Sequence, residues 1–155
     1  MAAFDAKLVE LAGRNWLASQ LQSAGIEVAR PERDRGVDLI AYIDRDHRVP
    51  KFIACPIQMK AATKEVFSIN AKYASFPGLL LVYVWNLGDS TATKSYALTD
   101  EEALAVAAEM GWSETDSRRI HGSYSTTQPS KRLRALLARF EMKADNWFSR
   151  ISGSK

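Results

Sequence analysis

The chain has one cysteine and two histidines. A single cysteine excludes an intrachain disulfide and a cluster of thiolate metal ligands. His47 and His121 lie far apart, so a zinc site is not expected. Cys55 sits in an apolar run and reads as a small core residue rather than a nucleophile. No glycine-rich phosphate loop is present, which argues against an NTPase. No Ser-His-Asp or Cys-His arrangement is suggested either. The longest apolar run, LLLVYVW at 79–85, is far too short to span a bilayer. The opening MAAFDAKLVE carries acidic residues and no long apolar stretch, so no signal peptide is expected. A reducing, cytoplasmic setting without membrane attachment is the expectation. Internal repeats and low-complexity segments are also lacking.

What remains is an ordinary folding composition. Of 155 residues, 46% are apolar and 25% charged, enough for a single domain with a substantial core. The net charge of +3 hides an asymmetry: residues 1–116 carry 12 basic and 16 acidic side chains, whereas 117–155 carry 9 and 2. A basic tail on a mildly acidic body suits a polyanion partner, and equally a solvated helix face.

Periodicity divides the chain into elements. A proline-free, Ala- and Leu-rich stretch predicts a helix over about 3–24, stopped at Gly25. Residues 26–30 are a short strand candidate. Residues 36–43 alternate, with Val37, Leu39, Ala41 and Ile43 on one side. A polar turn then leads to a strand over 51–60, and the short connection predicts an antiparallel hairpin. Pro56 cannot donate to a ladder, so this strand should be bulged or partly at an edge. Residues 61–78 suggest a short strand and a turn. The run at 79–85 reads as a central strand buried on both faces. A strand at 95–99 precedes a helix with capping-box spacing from Thr99 to Glu102 and a stop at Gly111. These elements make a core over about 3–111, followed by a C-terminal section over 112–151. There a polar loop runs from 112 to 128, and Pro129 opens a last helix. At about 100° per residue, Leu133, Leu136, Leu137, Phe140, Ala144, Trp147 and Phe148 form one apolar stripe on that helix. Arg132, Arg139, Lys143 and Arg150 form a basic row beside it.

Four polar residues fall where apolar ones are expected. Glu10 shares a helix side with Leu17 and Leu21. Asp38 interrupts a strand of Val, Leu, Ile, Ala and Tyr. Gln58 and Lys60 stand two apart near the end of the neighbouring strand, hence on one face. Buried charges are costly unless paired or metal-bound. Carboxylate and amide oxygens are hard ligands suited to Mg²⁺. Each residue also has a plain structural alternative. Lys60 can reach water at a strand end, Asp38 can close a turn begun by RDRG, and Glu10 can lie on the surface.

The order Glu10 in a first helix, Asp38 in GVDLIA, and Gln58 with Lys60 in IQMK resembles the PD-(D/E)XK nuclease superfamily. The resemblance covers roughly residues 5–100. It implies a restriction-endonuclease-like α/β fold, a mixed sheet flanked by helices. It also implies a Mg²⁺- or Mn²⁺-dependent endonuclease acting on DNA, with a homodimer as a common assembly. Asp38, Gln58 and Glu10 would hold the metal, and Lys60 would position or activate water. Gln58 departs from the family pattern, which has Asp or Glu there, and removes one negative charge. Arg33, Arg35, Arg118, Arg119, Lys131, Arg132, Arg139 and Lys143 are the candidate DNA contacts. Two other functions share the pattern: a catalytically weakened nucleic-acid-binding module on the same fold, and a protein-interaction domain whose basic tail binds an acidic partner.

Overall fold

In the computed structural model, which describes residues 5–112 and 122–153, a mixed six-stranded sheet is covered on both faces. The first helix, α1, spans Ala6–Ser23. Asp5 caps it by accepting from the Leu8 N–H at 2.8 Å. Strands β1 (Glu27–Ala29), β2 (Leu39–Ile43) and β3 (Ile53–Ala61) form an antiparallel meander. The expected hairpin is therefore present, in the register Leu39↔Ile57 to Ile43↔Ile53. The stretch after it holds the expected short strand and turn, as β4 (Phe67–Asn70) and a 3₁₀ turn over Ala71–Ser75.

Strand β5 (Leu80–Trp85) lies parallel to β3 and is buried along its whole length. Strand β6 (Lys94–Thr99) runs antiparallel to β5. Helix α2 (Asp100–Glu109) then begins at the Thr99 cap, which accepts from the Glu102 N–H. Within the stretch expected as a polar loop, strand β7 (Ser123–Thr126) instead pairs with β4 in a separate two-stranded sheet, because β4 offers it a free edge. Pro56 is accommodated because β5 joins β3 only from Ile57 onward, which leaves the proline outside that ladder.

The alternation of β5 divides the core. Leu80, Val82 and Val84 point towards α1, whereas Leu81, Tyr83 and Trp85 point towards α2 and β4. The Tyr83 hydroxyl donates to Ser68 O at 2.6 Å and the Trp85 indole to Val66 O at 2.8 Å, which ties the small sheet down.

The C-terminal segment contains helices, but not the single helix expected. Helix α3 covers only Lys131–Leu137, and a 3₁₀ turn covers Ala138–Phe140. Strand β8 (Glu141–Met142) then pairs with β6 at the sheet edge, before helix α4 over Trp147–Ser152. Leu133 and Leu137 pack on the α2 face, while Trp147 and Ile151 pack on the α1 face. The apolar residues match one helical stripe because they serve two faces in turn, with the chain crossing the edge between them. The basic row dissolves for the same reason, since its members no longer share a helix.

Candidate metal and acid cleft

The site forms where β2 leaves β3. Their pairing ends at Leu39↔Ile57, so Met59 has no β2 backbone partner. The Asp38 carboxylate takes that place: its Oδ2 accepts the Met59 N–H at 2.7 Å and the Gln58 Nε2 at 2.9 Å. An obligatory backbone donor is thereby satisfied by a side chain. The Asp38 N–H in turn donates to Ile57 O at 2.8 Å, the residue already opposite Leu39. Two residues facing one make a bulge-like junction, and it inverts the side-chain alternation. Val37 accordingly packs on the α2 face while Leu39, Ala41 and Ile43 pack on the α1 face, contrary to the uniform alternation expected.

Helix α1 brings the remaining groups. Gly13 lies so close to β3 that a Cβ there would stand 2.6 Å from the Ala61 Cβ and 3.0 Å from the Met59 Cε. The helix therefore rests directly on β3, with Glu10 and Arg14 one turn apart over the strand junction. Gly36, at φ 90°, turns the preceding loop, and its N–H donates to Asp34 Oδ1 at 3.3 Å.

The result is a cleft of about 340 Å³ whose walls include Glu10, Asp34, Asp38, Gln58, Met59 and Lys60. All four residues singled out from the sequence thus line one space. Oxygens of Glu10, Asp34 and Asp38 lie within 4.8 Å of one another. Asp38 is buried, whereas the Glu10 side chain is 46% exposed and that of Asp34 62%.

Two residues that meet the cleft carboxylates, Arg14 behind them and Asp34 in the wall, escape a reading for catalytic motifs. Arg14 bridges the carboxylates, with Nη2 paired to Glu10, 3.4 Å from Asp38 Oδ1 and 3.6 Å from Asp34 Oδ2. Its i,i+4 spacing from Glu10 on a helix is the signal that could have found it. Asp34 carries no such local mark, because only the loop turn brings it in. The three carboxylates, Arg14 and the Lys60 of the cleft wall sum to one formal negative charge, a net sign that favours a cation. Burial raises the Asp38 carboxyl above its ordinary value. The Met59 N–H and Arg14 lower it in part, and the charges of Asp34 and Glu10 add to the rise.

Lys60 lines the same cleft with its ammonium 5.2 Å from the centre of the Tyr73 ring. Among the described residues it has no carboxylate partner. Gln58 presents its amide N–H to Asp38, so in this arrangement it orients that carboxylate rather than offering an oxygen beside it. Cys55 is half-buried against the core, and burial pushes its thiol up to about 11, which suits the packing role.

Among the candidate DNA contacts, Arg33 and Arg35 are exposed on the loop bearing Asp34, and neither forms an ion pair among the described residues. Arg118 and Arg119 lie outside the described residues, as does His121. Lys131, Arg132, Arg139 and Lys143 are exposed, but none lines the cleft. Arg132 lies 3.6 Å from Glu109, and Arg139 sits over Phe140 at the β8 edge, three strands from β3. Arg134 and Arg150 pair with Glu65 and Glu102. The acidic body thus neutralises part of the basic tail.

No protein-family model matches the chain, and neither a curated protein nor a solved structure matches it. The family resemblance therefore rests on the chain's own residues. Among the described residues, no helix is long and apolar enough to cross a membrane.

Proposed function

We propose that the protein hydrolyses phosphodiester bonds in DNA, with a Mg²⁺ or Mn²⁺ ion held by Asp38, Glu10 and Asp34. One observation carries the reading: three carboxylates from a helix, a loop and a strand end meet within 4.8 Å beside a lysine that has no acidic partner among the described residues. The donor set fits a hard divalent cation, which needs anionic oxygens and leaves room for water and phosphate. Bound there, such an ion supplies charge neutralisation at a phosphoryl oxygen and acidifies water.

The chain's own groups have distinct tasks. Gln58 and the Met59 N–H hold Asp38 in one orientation. Lys60 faces the cleft and can orient the attacking water or stabilise charge gathering on the phosphorane. Water adds to phosphorus, the bond to one sugar oxygen breaks, and that oxygen takes up a proton. Arg33 and Arg35, free of acidic partners among the described residues, lie on the loop nearest the site and suit phosphate contacts.

A second reading, a non-catalytic DNA-binding module, draws on Arg14. An internal guanidinium already bridges the carboxylates, and Gln58 lacks the charge usual in the resembling family. Plasmid and branched-DNA cleavage with Mn²⁺, compared with Lys60→Ala, separates the two. Hydrolysis predicts that wild type cuts and that the variant is slower by about 10²–10⁴-fold, with DNA affinity retained. Equal inertness of both proteins, with DNA still bound, would establish the binding module.

A further inference from the structure

Across Gln58 from the acidic cleft lies a second depression of about 320 Å³, whose walls include Arg35, Gly36, Gln58, Lys72, Tyr73 and Phe76. Its charge is opposite to that of its neighbour: two cations line it and no carboxylate does. Gln58 lines both spaces, and Tyr73 of the second lies near the Lys60 of the first. The Lys60 ammonium stands 5.2 Å from the centre of the buried Tyr73 ring, and the Lys72 ammonium stands 5.1 Å from the same ring.

Phe76 supplies the apolar part. A singly exposed phenylalanine is ordinary on a protein surface. This one is 39% exposed in a depression that it shares with Tyr73, Leu79 and the cations Arg35 and Lys72, on a backbone held at both sides. Its N–H donates to Tyr73 O at 3.1 Å, and its carbonyl accepts from the Leu79 N–H at 3.3 Å. Pro77 follows it and further stiffens the turn. The backbone bearing the ring is thus held in place, and the ring is an aromatic ledge beside two cationic side chains. Aromatic faces interleaved with cations hold single-stranded nucleic acid, because each base offers a π face once it leaves the duplex stack.

We propose that this shelf binds an unpaired nucleotide next to the scissile phosphate, with Phe76 stacked on its base and Arg35 and Lys72 on its backbone. The substrate class is then single-stranded or splayed DNA rather than continuous duplex. This rests on the hydrolytic reading of the neighbouring cleft, but its test is separable from that reading.

Fluorescence anisotropy in EDTA compares a labelled oligodeoxythymidine with a duplex of the same length. Wild type should bind the single strand more tightly. Phe76→Leu keeps the apolar bulk and loses the π face, so it should weaken single-strand binding roughly five- to a hundredfold and leave duplex binding unchanged. Phe76→Trp should restore the affinity. Removing Lys72 and Arg35 together should flatten the salt dependence of single-strand binding, by about 0.7 in log–log slope for each phosphate no longer neutralised. A Phe76→Leu protein that binds the oligonucleotide like wild type, or a wild type that prefers duplex, overturns the shelf. Binding that depends on Phe76 without cleavage in Mn²⁺ keeps the shelf and removes the hydrolytic reading. Cleavage that is indifferent to Phe76 does the reverse.

Discussion

Asp38 does two jobs with one carboxylate. Oδ2 closes the backbone ladder where β2 departs, and Oδ1 faces Arg14 in the cleft. The first task needs only an acceptor, whereas the second needs a charge. Burial is the largest influence on this group and raises its pKa. A raised folded-state pKa means that the ionised form opposes folding once pH exceeds the ordinary carboxyl value near 3.8. That cost is relieved as pH falls through the raised value. Asp38→Asn keeps the acceptor for Met59 and removes the charge. Thermal melts in EDTA at neutral pH should therefore show this variant at least as stable as wild type, with the difference shrinking as pH is lowered. Mn²⁺ binding by calorimetry should be lost. In wild type, Mn²⁺ affinity should fall with pH at values above 3.8, as Asp38 takes up its proton. A variant that is less stable at neutral pH would show that the carboxylate's own bonds outweigh its desolvation.

At the scale of elements, the cleft depends on how closely α1 can approach β3. Gly13 permits that approach, and the atom a side chain would meet is the Ala61 Cβ, which is fixed to the strand. Gly13→Ala gains about 1 kcal/mol of helix propensity and loses about 1–3 kcal/mol to overpacking. Because the clash is with a backbone-borne atom, the loss should win. A lower denaturation midpoint together with weaker Mn²⁺ binding is expected, since Glu10 lifts away with the helix. A more stable variant with unchanged metal binding would show that α1 is not held by this contact. Glycine is also how this packing could be suspected from sequence: a helix otherwise rich in Ala and Leu keeps the one residue that weakens it. The bulge-like junction at Asp38 left no comparable mark. Val37 and Leu39 alternate perfectly in sequence, and only the departure of β2 sends them to opposite faces.

For the whole molecule, the C-terminal segment acts as a clasp around the sheet edge. It places Leu133 and Leu137 in one core layer and Trp147 in the other, where Trp147 is 1% exposed. Trp147→Ala should cost about 3–5 kcal/mol, which for a chain of this size lowers the melting temperature by roughly 6–20 °C. A shift of a degree or two would mean that α4 is not part of the cooperative unit. The sequence by itself determined the element types from α1 to α2, the central β5, the hairpin, the α2 cap and the identity of four cleft residues, but not β7 or β8. These follow from local periodicity and from polar residues standing in apolar runs, which are properties of neighbours along the chain. Tertiary structure alone decided that Asp34 joins those residues, that Asp38 completes a backbone ladder, and that the last apolar stripe is split between two faces. Each of these depends on where a strand ends or a chain crosses an edge. Such events are set by contacts between distant segments, which periodicity along one segment does not encode.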